Sequence, residues 1–135
     1  MVSQIDFNSS NIRKILDKYS LNLVILFGSQ ATGHTHPKSD TDMAFLSDKL
    51  LGPSEIARMC FAFSNELRIR DLECTDLHSA PPLLLKQVAL KGILLYEREP
   101  HTHARFKIYA LKRSMEAEPL FRIREKSLVG FLEHV

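Results

Sequence analysis

The sequence has little of what marks several large classes of protein. It contains no tryptophan, five glycines and two cysteines in 135 residues, and its formal net charge is only +2. Cys60 and Cys74 stand without the spacing of a zinc module or of a disulfide framework, so we expect two buried thiols in a reducing compartment. A charge this small gives no electrostatic basis for binding nucleic acid or an anionic membrane. We therefore expect no direct contact with nucleic acid.

Long apolar runs are also missing. No run approaches the roughly 18–20 residues that a membrane-spanning helix needs. The first ten residues, MVSQIDFNSS, lack the basic start and the apolar stretch of a signal peptide. The sequence thus predicts a cytoplasmic protein without membrane contact. Its length favours one domain, residues 1–135, that is large enough to bury a core.

The periodicity of the apolar residues predicts alternating helices and strands. An amphipathic helix in SSNIRKILDKYS precedes two apolar strands, LNLVILF and TDMAFLS. A helix in PSEIARMCFAFSNELRI, a strand in DLECTDLHSA, a helix in PPLLLKQVALKG and an edge strand in ILLYE follow. This order predicts an α/β (α+β) fold with a small mixed sheet flanked by helices. We expect a core of about residues 9–97 and a helical tail of about residues 102–135, which Pro119 should kink or split.

The segment LFGSQATGHTHPKSDTD carries the densest chemical signal. Gly28 and Ser29 fall where the first strand ends, and a glycine there allows the backbone to approach a ligand closely. The serine hydroxyl and nearby backbone N–H groups are suited to holding a phosphate. Each feature alone is common in turns, but their closeness to the aspartates that follow makes the segment a candidate site.

Asp40 and Asp42 stand at the start of the second strand, separated by one residue. Because side chains in a strand alternate with a period of two, both carboxylates should point to one face. Two adjacent like charges are costly unless a cation neutralises them, and Mg²⁺ is normally held by one or two carboxylates together with substrate phosphates. A phosphate cradle beside such a pair is typical of phosphoryl or nucleotidyl transfer.

These motifs resemble those of the DNA polymerase beta-type nucleotidyltransferase superfamily and, more narrowly, of the minimal nucleotidyltransferase (MNT) antitoxins. The segments LFGSQATG and SDTDMAFL are similar to the family's strand-loop-strand unit. DLECTDLHSAPPLLLKQVALKGILLYE resembles its third strand, the following helix and its G-x-x-L-Y end, so the resemblance covers about residues 21–97. It implies the nucleotidyltransferase fold.

The resemblance also implies a third carboxylate on the third strand, and the matching position is Glu73, where the family usually has aspartate. Strand periodicity predicts that Asp71 shares the face of Glu73, while Asp76 is interpreted as a surface charge at the strand end. In the implied site, Asp40, Asp42 and Glu73 are catalytic residues that hold Mg²⁺, and Gly28 and Ser29 bind the nucleotide phosphates.

By the same resemblance, the chain is expected to transfer AMP from ATP to a tyrosine of a HEPN-family ribonuclease toxin and so to neutralise it. ATP is then the substrate, Mg²⁺ the cofactor and the toxin the partner, and a homo-oligomer is possible. Two alternatives stay open. The chain could be a weak or inactive antitoxin that inhibits by binding alone, which the glutamate at position 73 favours, or a small-molecule nucleotidyltransferase of the antibiotic-modifying type.

Overall fold

A computed structural model of the chain describes residues 7–28 and 41–133, with their side chains described as far as residue 117. The elements in chain order are α1 Ser10–Lys18, β1 Leu21–Phe27, β2 Thr41–Ser47, α2 Pro53–Leu67, β3 Leu72–Asp76, α3 Pro82–Lys91, β4 Ile93–Glu97 and α4 Thr102–Glu133. The described residues form a four-stranded sheet in the order β3-β2-β1-β4. Strand β1 pairs antiparallel with both β2 and β4, and β2 pairs parallel with β3. The predicted α+β fold with a small mixed sheet is confirmed, and ILLYE is an edge strand.

Strand β1 is covered on both faces, which explains its nearly continuous apolar sequence. On one face, Val24 packs with Leu16 of α1 and Phe63 of α2. On the other, Ile25 packs with Leu85 of α3 and with the first turns of α4. The two helix layers therefore bury alternate residues of the same strand.

Strand β2 shows the same alternation, and this fixes where its polar residues point. Met43 and Phe45 belong to the core cluster beneath α1 and α2, whereas Ala44 belongs to the cluster beneath α3 and α4. By the two-residue period, Asp42 lies on the face of Ala44. The strand begins at Thr41, so Asp42 is close to one end of the sheet.

Strand β3 is shorter than the sequence predicts. It begins after Asp71, whose φ of +55° is outside the strand region, and it ends at Asp76. Beyond the strand, the backbone N–H of His78 donates to the Asp76 carboxylate at 2.9 Å, which closes a turn. Local turn geometry at both ends thus confines the strand to five residues.

The C-terminal helix α4 runs through Pro119 as one element of 32 residues. The prediction that this proline would split the helix is wrong, because helical turns continue on either side of it, and the alternative of a kink stays a prediction. Among the described side chains of α4, the buried positions are Phe106, Ala110 and Ser114, spaced four residues apart on one face. The apolar tail residues after Pro119 lie outside the described side chains, and the division into core and tail stays a prediction. No helix in the described part of the chain is long and apolar enough to cross a bilayer.

Candidate active site

Three of the five predicted site residues lie within the described ranges, and the fold brings them together. Gly28 follows β1, Asp42 is the second residue of β2, and Glu73 is the second residue of β3. Ser29 and Asp40 lie outside the residues that the structure describes, so their roles stay predictions. Within the described residues, the candidate site therefore consists of one glycine and two carboxylates.

Gly28 is needed for two independent physical reasons. Its φ is +83°, a conformation that side chains with a Cβ rarely adopt. A Cβ added at this position would also lie 2.5 Å from Oδ2 of Asp42, well inside van der Waals contact. The sequence predicts a glycine here for close approach to a ligand. Among the residues that the structure describes, the nearest group that it accommodates is the Asp42 carboxylate.

Asp42 and Glu73 are directly opposed residues of the parallel β2–β3 pair. Neighbouring strands lie roughly 4.8 Å apart, and opposed residues point to the same face. Asp42 is half-buried and Glu73 is exposed, so the pair opens from the sheet toward solvent. Two carboxylates so placed repel each other, and a divalent cation between them would remove that repulsion.

The register also separates Glu73 from the other carboxylates near β3. Asp76 is opposed to Phe45, three residues along β2 from Asp42, which is about 10 Å. Its carboxylate accepts the N–H of His78 and so belongs to the turn at the strand end. This placement agrees with the interpretation of Asp76 as a strand-end charge.

Asp71 has a different position from the one that strand periodicity predicts. It precedes β3 with a left-handed backbone, so the prediction that it shares the face of Glu73 by alternation is wrong. Its carbonyl oxygen instead accepts the backbone N–H of Thr41 at 3.3 Å. Sequence reasoning missed this contact. The available signal was the residue type, because aspartate is among the few residues that enter the left-handed region readily.

The oxygen ligands fit a hard divalent cation. Within residues 7–28 and 41–117, no group of three or more His, Cys, Asp or Glu side chains forms a metal-binding cluster. The described part contributes the two opposed carboxylates, and Asp40 is adjacent in sequence to Thr41. Carboxylate oxygens are the ligands that Mg²⁺ takes from proteins, together with substrate phosphates and water.

The two cysteines, which were expected to be separate buried thiols, are in contact behind β3. Both are half-buried, and the Cys60 thiol donates to the Leu72 carbonyl oxygen at 3.0 Å. Burial raises the pKa of the Cys74 thiol well above its ordinary value, and a hydrogen bond with Cys60 raises it further. Cys74 is opposed to Met43, on the sheet face away from Asp42. These thiols are therefore not part of the carboxylate site.

A cavity of about 450 Å³ lies at the opposite end of β2. Leu46, Leu77 and Phe106 line it, together with His78 and residues of α4. Leu46 is four residues beyond Asp42, about 13 Å along the strand, and the buried Ala44 lies between them. The cavity is therefore separate from the carboxylate site.

Comparison with known proteins identifies the family of the chain. The model of the "Polymerase beta, Nucleotidyltransferase" family matches residues 10–101. The chain belongs to this nucleotidyltransferase family. The match spans all four strands and the first three helices, so it contains Gly28, Asp42 and Glu73.

Solved structures share the nucleotidyltransferase fold over nearly the whole chain. A chain of a toxin–antitoxin complex crystallised with AMP-PNP has a TM-score of 0.75 and 24% identity, covering 90% of this chain and 98% of that one. A chain of an MntA–HpeT toxin–antitoxin mutant has a TM-score of 0.75 and 22% identity, with 93% and 99% covered. A chain of the tri-AMPylated HEPN toxin–MNT antitoxin complex from Shewanella oneidensis has a TM-score of 0.61 and 22% identity, with 90% and 92% covered. No curated protein matches the sequence significantly.

Proposed function

We propose that this nucleotidyltransferase is an MNT-type antitoxin, which transfers AMP from ATP to a tyrosine of a HEPN-family toxin and thereby neutralises it. The observation that carries the proposal is the direct opposition of Asp42 and Glu73 beside Gly28. Two opposed carboxylates beside a glycine are what the proposed chemistry would use to hold a divalent cation next to the nucleotide phosphates, and the longer glutamate keeps the charge of the usual aspartate.

The solved structures support the narrower part of the proposal. One of the complexes that share this fold contains AMP-PNP, a nucleotide with the shape of ATP. Another contains a HEPN toxin carrying three AMP groups together with its MNT antitoxin. A third carries two aspartate-to-glutamate replacements with one residue between them, which is the spacing of Asp40 and Asp42 here.

In the proposed reaction, different residues of this chain would bind the metal ion and the nucleotide phosphates. Asp40, Asp42 and Glu73 would hold Mg²⁺, which, when bound, supplies positive charge to the phosphates and lowers the pKa of the acceptor hydroxyl. Gly28 and Ser29 would hold the outer phosphates through backbone N–H groups and the serine hydroxyl.

In the reaction, the acceptor oxygen attacks the α-phosphorus of ATP while the bond from that phosphorus to the pyrophosphate oxygen breaks. The tyrosine hydroxyl loses its proton, pyrophosphate leaves, and AMP stays on the acceptor. The fold contributes mainly position, because the opposed strands hold both carboxylates on one face before the substrates arrive.

An isotope-transfer assay tests the proposal. The proposal expects a HEPN-family reading frame beside the gene of this chain, and that protein serves as the acceptor. Incubation with Mg²⁺ and ATP labelled at the α-phosphate should label a toxin tyrosine and stop its ribonuclease activity. ATP labelled only at the γ-phosphate should leave the toxin unlabelled, since that phosphate departs in pyrophosphate.

The same assay separates the two alternatives. A toxin that is inhibited without becoming labelled would identify an antitoxin that acts by binding alone. Label that appears on a small-molecule acceptor and never on the toxin would identify a transferase of the antibiotic-modifying type. Either result would overturn the proposed protein substrate.

A further inference from the structure

The two ends of β2 are held by the same backbone device. At the far end, Ser20 has a φ of +51°, and its carbonyl oxygen accepts the N–H of Asp48 at 3.0 Å. At the near end, Asp71 has a φ of +55°, and its carbonyl oxygen accepts the N–H of Thr41 at 3.3 Å. Each residue stands immediately before a strand that pairs with β2. Ser20 precedes β1, and Asp71 precedes β3.

The near-end contact lies next to the carboxylate pair. Thr41 is the first residue of β2, is buried, and is opposed to Leu72, the first residue of β3. The next opposed pair along the two strands is Asp42 and Glu73. The bond from Thr41 to Asp71 therefore closes the β2–β3 ladder one step before the two carboxylates. A slip of one residue would place Asp42 opposite Leu72 or Cys74 instead of Glu73.

We propose that Asp71 is a positioning residue, which acts through its left-handed backbone to fix the register that places Asp42 opposite Glu73. This inference rests on the proposed function, because it matters for transfer only if those carboxylates are catalytic. Aspartate suits the role, since a short polar side chain enters the left-handed region at little cost. A β-branched side chain there would favour a rotation of the backbone that withdraws the carbonyl from Thr41.

Four variants separate a backbone role from a role of the Asp71 carboxylate. Asp71→Asn and Asp71→Gly both keep access to the left-handed region but remove the charge, and Asp71→Gly removes the side chain as well. Asp71→Val disfavours that region, and Asp71→Ala does so more mildly, which provides a second variant if the valine protein does not fold. Ser20→Val is the matched control, because it places the same strain on the same device at the other end of β2.

The first readout is hydrogen exchange of two backbone amides, measured by NMR. Asp71→Val should accelerate exchange at Thr41 and leave Asp48 protected, whereas Ser20→Val should do the reverse. Asp71→Asn should leave both amides as protected as in the parent. This measurement does not depend on activity, so it tests the inference even if the parent transfers no AMP, a result that would refute the proposed function alone.

The second readout is the kinetics of AMP transfer, measured at a temperature where every variant is folded. Asp71→Val should lower kcat by about tenfold or more, because a small displacement of catalytic groups is costly, and should change the KM for ATP much less. Asp71→Asn, Asp71→Gly and Ser20→Val should keep a kcat close to the parent value, and Asp71→Ala should lie between.

Four results would overturn the inference. If Asp71→Asn loses as much activity as Asp71→Val, the carboxylate acts directly and not through the backbone. If Asp71→Val keeps the parent kcat, or leaves Thr41 protected from exchange, Asp71 does not set the register. If Ser20→Val and Asp71→Val lose activity in proportion to their thermal stability, the effect is general strain and not positioning.

Discussion

Asp42 lies directly opposite Glu73 on the same face of two parallel strands, and the backbone of Gly28 lies against the Asp42 carboxylate. Three separate segments of the chain therefore meet at one end of the sheet. The arrangement places two negative charges side by side before any substrate is bound. The repulsion between these two charges lowers the stability of the folded protein, and this is the physical basis of the first two predictions.

Removing the charge of Asp42 should abolish transfer without unfolding the protein. Asp42→Asn should lower the rate of transfer by at least about a hundredfold, because a neutral amide cannot replace a carboxylate that holds the catalytic cation. That cation stabilises the charge of the transition state by several kcal/mol. Asp40→Asn is expected to do the same. The melting temperature should stay level or rise slightly, since one of two like charges is gone. Asp76→Asn is the control, because Asp76 is opposed to Phe45 and not to Asp42. Undiminished transfer by Asp42→Asn would refute the site.

Glu73 should be needed for the chemical step more than for nucleotide binding. Glu73→Gln should lower kcat by at least about tenfold, while AMP-PNP still binds with Mg²⁺ through Asp40 and Asp42. Glu73→Asp restores the residue usual in the family and should keep transfer. Calorimetric titration with AMP-PNP and single-turnover transfer measure the two effects separately. If Asp76→Asn were the more damaging change, the third carboxylate would be Asp76.

Gly28 should not tolerate a Cβ. Gly28→Ala combines an unfavourable backbone conformation with a clash against Oδ2 of Asp42, so we expect about 1–3 kcal/mol of destabilisation and weaker binding of AMP-PNP. Gly52→Ala is the matched control, because among the described residues a Cβ there would meet Glu55 Oε1 alone, at an ordinary 3.9 Å. Urea unfolding of both variants gives the comparison. Equal stability of Gly28→Ala and the parent would contradict the close approach that the structure shows.

Cys74 should make the protein less stable in alkaline solution. Burial raises its pKa in the folded state above the ordinary value of 9.0, so the folded state keeps a proton that the unfolded state loses. The resulting stabilisation is full below pH 9 and is lost as the pH rises above it, by up to about 1.4 kcal/mol per pH unit for one proton. Cys74→Ala should remove this contribution to the pH dependence of the unfolding free energy. Urea unfolding between neutral pH and about pH 10.5 measures it. Identical slopes for variant and parent would show that the thiol is not responsible.

The sequence predicts most of this fold because its local signals agree with its tertiary structure. β1 and β2 begin and end where their apolar runs do, at Leu21–Phe27 and Thr41–Ser47. The position of Glu73 also follows from the sequence, although through the resemblance to the family and not through spacing alone. Here the hydrophobic pattern and the strand boundaries carry the same information.

The sequence does not reveal contacts that depend on strand order. Cys60 and Cys74 meet only because β3 pairs with β2 at the edge of the sheet and α2 packs behind it. The contact between Asp71 and Thr41 depends on a left-handed backbone just where alternation predicts a strand. The continuation of α4 through Pro119 was missed for the opposite reason, since a strong local signal did not stop the helix.

The last prediction concerns the part of α4 beyond Pro119, which we expect to help hold the HEPN-family partner or a second copy of the chain. The buried residues of α4 among its described side chains, Phe106, Ala110 and Ser114, lie before this proline. A protein ending at Pro119 keeps these residues and the packing of α4 on α3, so it should stay folded and still bind AMP-PNP with Mg²⁺. It should no longer capture the toxin in a pull-down, whereas the full chain should. Phe106→Ala in the full chain is the control for lost packing, with an expected cost of about 3–5 kcal/mol. If the truncated protein unfolds as the Phe106→Ala protein does, the segment beyond Pro119 belongs to the protein's own core and the argument for an interface there fails.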